Sequence, residues 1–232
     1  IHLFERIGRS LVLTQAGLEL LAHTRNMGEA ANRIALTASG QSRSIEGEIR
    51  ITASDVFSAH VLPPVLRRIR EQAPRLQIDV VAANDIRDLM RREADIAIRH
   101  VRPEQPDLIA RLLWDASARF YAATEYLTRR GRPRTLADLA THDFVSFGDI
   151  DEMLKHYLPL GLPVTRENFR IGSQSGLVAW EFVRQGFGIT AMADDVAQND
   201  PLVEPILPDM APVSFPVWLT THRELHTSRR IR

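Results

Sequence analysis

Few residues in this chain have the type and spacing to do chemistry, and most of them sit where a strand gives way to a helix. In "ASDVF", Ser54 and Asp55 follow a short apolar strand and precede a helix. The free N–H groups of a helix start favour an anion or a polar group there. Asp55 reads in two ways. As a ligand its carboxylate repels an anionic molecule and suits a cation or an amine. As a local device it caps the helix. A later strand ends in Arg99 and His100, on the same side. Farther on, Phe147 ends a strand, and "GSQSG" sets Ser173 and Gln174 before another helix, with helix capping as the alternative role for its serines.

None of these makes a catalytic set. "GSQSG" has Gln174 where a G-x-S-x-G nucleophile elbow needs serine. "GFG" (186–188) stops a helix before a strand and does not form a phosphate loop. His222 and His226 have metal-like spacing but no acidic partner of the H-E-x-x-H kind. No pair of carboxylates is singled out by spacing. The absence of cysteine excludes disulfides, thiolate catalysis and zinc–thiolate sites. The expectation is a binding protein that is not an enzyme and has no metal and no resident cofactor.

The elements that hold these residues follow from periodicity. "EIRITAS", "LQIDVVA" and "ADIAIRH" read as strands, separated by the helices "AHVLPPVLRRIREQAP" and "DIRDLMRRE". That alternation means parallel pairing with helical crossovers. "LIARLLWD" and "ARFYAAT" read as two further strands. Then come "EYLTRRG" and "TLADLA" as helices, "DFVSF" as a strand, "FRIGS" leading into the helix "GLVAWEFVRQG", and the strands "GITAM", "LVEPIL" and "PVWLTTH". "DDVAQND" gives a turn of helix, and "ELHTSRRIR" starts another. Two α/β halves result, and a cleft between facing halves is the expected ligand site.

Ahead of them, Thr14 to about Gly40 reads as one long helix. Leu13, Gly17, Leu20, Thr24, Met27, Ala31, Ile34 and Ala38 recur in steps of four and three, the period of a helix–helix seam. Half of these are Gly, Thr or Ala, so a partner helix can approach closely. A single helix folded back on its own domain is the alternative. "SGQSRSIEG" (39–47) reads as a linker. Charge is balanced, with 29 basic and 29 acidic residues, so any nucleic-acid contact must be local. No run of about 18 apolar residues marks a membrane span, and the start lacks the pattern of a signal peptide. A cytoplasmic protein is expected.

"LFERIGRSLVLTQAG" resembles the wing and linker-helix start of the LysR-type transcriptional regulators. "GEIRITAS", "VLPPVLRRIREQAP", "ADIAIRHVRPEQPDLIARLL", "FYAATEYLTRRGRPRTLADLATHDFV", "GLPVTRENF", "VRQGFGITAM" and "VWLTTHREL" continue the likeness in order along the chain. The resemblance implies an α/β fold: a two-lobed periplasmic-binding-protein-like (type 2) regulatory domain, preceded by a long linker helix and the remnant of a winged helix-turn-helix. It implies a division into a truncated wing (1–13), a dimerisation helix and linker (14–46), a first regulatory subdomain (47–116 plus 222–232) and a second (117–221). Hinges fall near Asp115 to Ala118 and Thr221 to Arg223. Helices preceding the wing are expected outside this sequence.

The same likeness implies a small-molecule effector held by Ser54, Asp55, Asn84, Arg99, His100, Phe147, Ser173 and Gln174. Arg6 and Arg9 of the wing are expected at the phosphates of double-stranded DNA, contacts that position a protein without reading sequence. Leu20, Met27, Ala31 and Ile34 are expected to pair two chains into a homodimer, with a homotetramer and contact with RNA polymerase beyond that. The alternative is a solute-binding protein or an enzyme on the same two-lobed fold. The wing and the seam-bearing helix favour the regulator.

Overall fold

The computed structural model describes residues 2–7, 10–17, 19–21, 23, 24, 27, 28, 31, 45–84, 94–223, 225, 226 and 231. They fall into two compact units, residues 1–45 and 46–232.

In the first unit, β1 (Phe4–Ile7) and β2 (Ser10–Leu13) pair antiparallel as a hairpin. Residues 15–17, 19–21, 23, 24, 27, 28 and 31 are helical (α1). Thr14 caps α1 as its sequence suggests: its Oγ1 accepts from the Gly17 N–H at 3.1 Å. The Thr14 N–H donates to the Leu3 carbonyl at 3.1 Å, tying helix to hairpin. Gly17 departs from the expected seam. It is buried against the hairpin, and a Cβ there would lie 2.2 Å from the Leu3 carbonyl oxygen. Leu20, Met27 and Ala31 are exposed, and Ile34 and Ala38 lie outside the described residues.

The second unit begins with β3 (Gly47–Ala53), which runs parallel to β4 (Leu76–Ala82) and β5 (Ile96–Arg99). The helical run between β3 and β4 is two helices and not one, α2 (Asp55–His60) and α3 (Leu62–Gln72). Pro63 and Pro64 cannot donate to the carbonyls a turn earlier, so the helix breaks at Val61 and restarts with proline in its first turn. Leu62, Leu66 and Ile69 of α3 then pack on Ile49, Ile51, Leu76 and Val217, the core of the first lobe. The expected helix at 85–93 and most of the expected C-terminal helix lie outside the described residues.

The two strands expected in "LIARLLWD" and "ARFYAAT" are one, β6 (Leu108–Ala123). Asp115 does not end it, because the residue is exposed and pairs with Pro216 of β11 (Val213–His222). The early part of β6 lies beside β11 and, through β11, next to β5. Its last residues pair with β9 (Thr190–Ala193) and β10 (Val203–Pro205) in the second lobe. One continuous strand therefore joins both lobes. The segment opposite Asp115–Ala118 is Val213–Pro216, and His222 pairs with Leu108 at the far end. This corrects the second hinge expected near Thr221. Val217 is part of the first lobe's core, so the return crossing comes before it.

The second lobe adds α4 (Thr124–Arg130), the parallel pair β7 (Phe144–Phe147) and β8 (Phe169–Ser173), α5 (Ile150–Tyr157), α6 (Gly176–Arg184) and α7 (Asp194–Ala197). "TLADLA" is a 3₁₀ helix and not an α-helix, capped by Thr135 and Asp138 in a reciprocal box. The helix α5 falls where the sequence suggests no regular element. It is capped by Asp149 and buries Met153 and Tyr157. Phe120, Tyr126, Leu139, Phe144, Tyr157 and Ile189 build one core cluster, with Phe120 edge-on to Tyr157 at 5.3 Å.

Near the crossing, Ser117, Arg119 and Tyr121 lie at alternate positions of β6 and therefore on one face. All three donate to Asp194, the first residue of α7: Ser117 at 2.6 Å, the Tyr121 hydroxyl at 2.8 Å, and Arg119 through Nη1. Burial, then the hydrogen bond to Asp194 and its charge, push the Tyr121 phenol from 10.0 up to about 12. A phenol held protonated in the fold stabilises it at lower pH and stops doing so as the pH rises through that window. The loss in melting temperature between pH 10 and pH 12 is therefore expected to be smaller in Tyr121→Phe than in the parent. Parallel alkaline slopes in thermal melts of the two proteins would contradict this.

Candidate functional site

The helices α2 and α6 begin at strand ends in different lobes, and their starts meet. Ser54 is the N-cap of α2: its Oγ accepts from the Phe57 N–H at 3.3 Å. Asp55 is therefore the first helical residue and not the cap, although its Oδ1 accepts from the neighbouring Val56 N–H at 2.7 Å. Its other oxygen, Oδ2, accepts from the Ser175 hydroxyl at 2.6 Å and from the Leu177 N–H at 3.4 Å, both at the start of α6. Asn84 sits beside them. Its Oδ1 accepts from the Asp55 N–H at 3.1 Å, and its Nδ2 donates to the Gln174 carbonyl at 3.2 Å.

Four expected residues, Ser54, Asp55, Asn84 and Gln174, thus come together from separate parts of the chain. Burial raises the Asp55 pKa, but the hydrogen bonds from Ser175, Asn84, Val56 and Leu177 outweigh it and hold the carboxyl below its ordinary value. Gly176 makes the close approach feasible, because a Cβ there would lie 2.7 Å from a methyl of Val56. Ser175, Gly176 and Val56 belong to this arrangement, although only Ser175 gave a sequence signal, as a helix cap.

Arg99 is buried at the end of β5. Its Nη2 donates to the Thr52 hydroxyl at 2.9 Å and its Nη1 to the Ile98 carbonyl at 2.9 Å. The next residue, His100, stands edge-on to Phe215 at 4.9 Å and to Phe57 at 6.1 Å, and Phe57 stacks on Trp114 at 6.1 Å. Burial lowers the His100 pKa, a hydrogen bond to the Pro216 carbonyl opposes this, and the Arg99 charge lowers it further. The net direction keeps the ring neutral near pH 7. It is thus an apolar and hydrogen-bonding group beside the crossing strands.

Phe147 and Ser173 pair in register at the ends of β7 and β8. The Phe147 side chain is exposed, and the Ser173 Oγ accepts from the Ser175 N–H at 3.0 Å. A small recess lined by Ala118, Arg119, Phe120, Ile206, Leu207, Met210, Ala211 and Val213 contains none of the expected effector residues. Arg6 is exposed on β1, and Arg9 lies outside the described residues. His222 and His226 are joined through the backbone, the His226 N–H donating to the His222 carbonyl at 3.1 Å. Among the described residues no group of three metal-ligating side chains occurs, and no helix is long and apolar enough to cross a membrane.

Comparison with known proteins shows the family and the fold. Residues 42–232 match the sequence profile of the family described as LysR substrate binding domain. The HTH-type transcriptional regulator CrgA of Neisseria meningitidis serogroup C (strain 8013) is 23% identical over 215 residues, 91% of this chain and 71% of that protein. The HTH-type transcriptional activator TtdR of Escherichia coli (strain K12) is 26% identical over 239 residues, 99% of this chain and 76% of that one. The solved structure of the CrgA regulatory domain superposes with a TM-score of 0.72 at 21% identity, over 81% of this chain and 94% of that domain. Full-length CbnR complexed with its target DNA superposes with a TM-score of 0.66 at 18% identity, over 97% of this chain and 79% of CbnR.

Proposed function

Because the chain belongs to the LysR family of transcriptional regulators, we propose that its two lobes sense a small-molecule effector and that α1 pairs two chains to set DNA-reading heads apart. The fold is the two-lobed, type 2 periplasmic-binding-protein-like one of the regulatory domains it superposes on. One observation carries the sensing role. Polar groups from two strand-to-helix junctions in different lobes meet, and the strands β6 and β11 cross between those lobes. An effector shifts such an assembly only as far as it binds one lobe arrangement better than another.

In this reading Arg99, His100, Phe147 and Ser173 line the cleft and contact the effector, which is a metabolite and not a resident cofactor. The protein is not an enzyme. It works in the cytoplasm as a homodimer or homotetramer on double-stranded DNA, with RNA polymerase as a further partner. Arg6 of the hairpin, with Arg9, meets phosphates, which gives binding that weakens with salt. The solute-binding alternative is disfavoured by the hairpin–helix unit ahead of the lobes.

A melting-temperature screen of metabolites finds the effector, since a ligand that binds only the folded state raises the midpoint. Ser173→Trp is expected to abolish that rise while leaving binding of the full gene product to its promoter duplex unchanged. An unchanged effector response removes Ser173 from the site. Failure of the full gene product to bind duplex DNA at low salt overturns the regulator reading.

A further inference from the structure

We propose that Asp55 is a built-in carboxylate ligand that latches the first lobe onto the start of α6, so that the cleft closes at this point without an effector. The geometry is that of a bound anion supplied by the chain itself. The starts of α2 and α6 meet, and their first N–H groups have no carbonyl partner within their own helices. An acceptor placed between them can satisfy both. The Asp55 carboxylate does so with one oxygen on each side: Oδ1 takes the Val56 N–H of its own helix, and Oδ2 takes the Ser175 hydroxyl and the Leu177 N–H of the other lobe.

Three further observations make this a latch and not a chance contact. Asn84, from the same lobe as Asp55, bonds both the Asp55 backbone and the Gln174 carbonyl, adding a second bond between the lobes beside the first. Gly176 leaves no room for a side chain against Val56. Val56 and Val61 pack on the second lobe's cluster of Tyr121, Trp180 and Val183. Burying Val56 and Val61 there and pairing Asp55 with Ser175 both depend on the lobes being together.

The inference rests on the cleft being the effector site, and it narrows the class of effector. The place where an effector's carboxylate would take the Ser175 hydroxyl and the Leu177 N–H is already filled by a carboxylate. An anionic effector group is excluded from it, and an effector that signals through this point must break the latch.

The test uses the 232-residue chain and formate as the probe, with sodium chloride at matched ionic strength as the control. Asp55→Ala is expected to melt about 5 °C lower than the parent. Tens of millimolar formate should restore much of that loss. The parent, whose carboxylate is in place, and the Asp55→Ala/Ser175→Ala double variant, which lacks the hydroxyl, should show no formate response beyond that to chloride. Asp55→Asn, which keeps the shape without the charge, should also melt below the parent and ignore formate. A formate response in Asp55→Ala no larger than in the parent overturns the proposal. If Asp55→Ala fails to fold, Asp55→Asn decides the matter: a melting point below the parent's supports the latch, and one equal to the parent's overturns it. The regulator reading is judged by a different measurement, binding of duplex DNA at low salt by the full gene product with Asp55 in place, so the latch and the regulator reading fail separately.

Discussion

Replacing Ala31 by glutamate is expected to turn the proposed dimer into a monomer. Leu20, Met27 and Ala31 are all exposed on α1, Met27 at 74%. In the proposed dimer this bare apolar face is the one a second helix covers. Ala31 is one of the small positions of that stripe, where two helices come nearest. A dimer of Ala31→Glu chains buries two like charges with no cation opposite in the stripe, and an unpaired buried charge costs several kcal/mol. A weakening of self-association of about 100-fold or more follows, since each tenfold is about 1.4 kcal/mol. Sedimentation equilibrium of the parent and the variant measures this directly. Parent and variant of equal mass in solution would mean that the seam lies elsewhere. Gly17 serves as the control. It is one of the stripe positions but is buried against the hairpin, so its substitution should damage the hairpin–helix junction and not assembly itself.

Gly172→Ala is expected to destabilise the second lobe strongly. Gly172 pairs with Ser146 in the parallel ladder of β7 and β8. A Cβ there would lie 1.8 Å from the Ser146 Oγ and 2.8 Å from the Ser146 carbonyl oxygen. Ser146 is buried, next to the fully buried Val145, so β7 cannot move aside without opening the core. Overpacking of this kind costs about 3 kcal/mol, or a fall in melting temperature of about 10 °C for a chain of this size. Denaturant unfolding of the variant checks it, and a cost below about 0.5 kcal/mol, the range of an ordinary surface change, would refute it. Ser146→Gly in the same chain should restore part of the loss. It removes the hydroxyl but leaves the carbonyl in place, so the two substitutions are coupled and not additive.

Much of what depends on neighbours a few residues apart was legible along the chain, although the helix α5 and the 3₁₀ form of Leu136–Thr141 were not. The alternation of strands and helices, the Thr14 cap of α1 and the strand-to-helix junctions at Ser54 and Ser175 all follow from local periodicity and capping. The run from Ala59 to Pro74 reads as one helix and is two, because the prolines after Leu62 lack the N–H groups that would continue it. Long-range pairing settled the rest. Trp114–Asp115 looks like a strand end, yet β6 runs through it because β11 pairs alongside and carries the chain between lobes. Gly172 carries no sign along the chain that it is a point of close strand contact. Asp55 offered either a helix cap or a ligand for a cation. It binds Ser175, 120 positions away, because the register of the crossing strands brings two helix starts together. Contacts of that kind are set by how sheets pair and how lobes fold over their hinge, and no spacing along the chain encodes them.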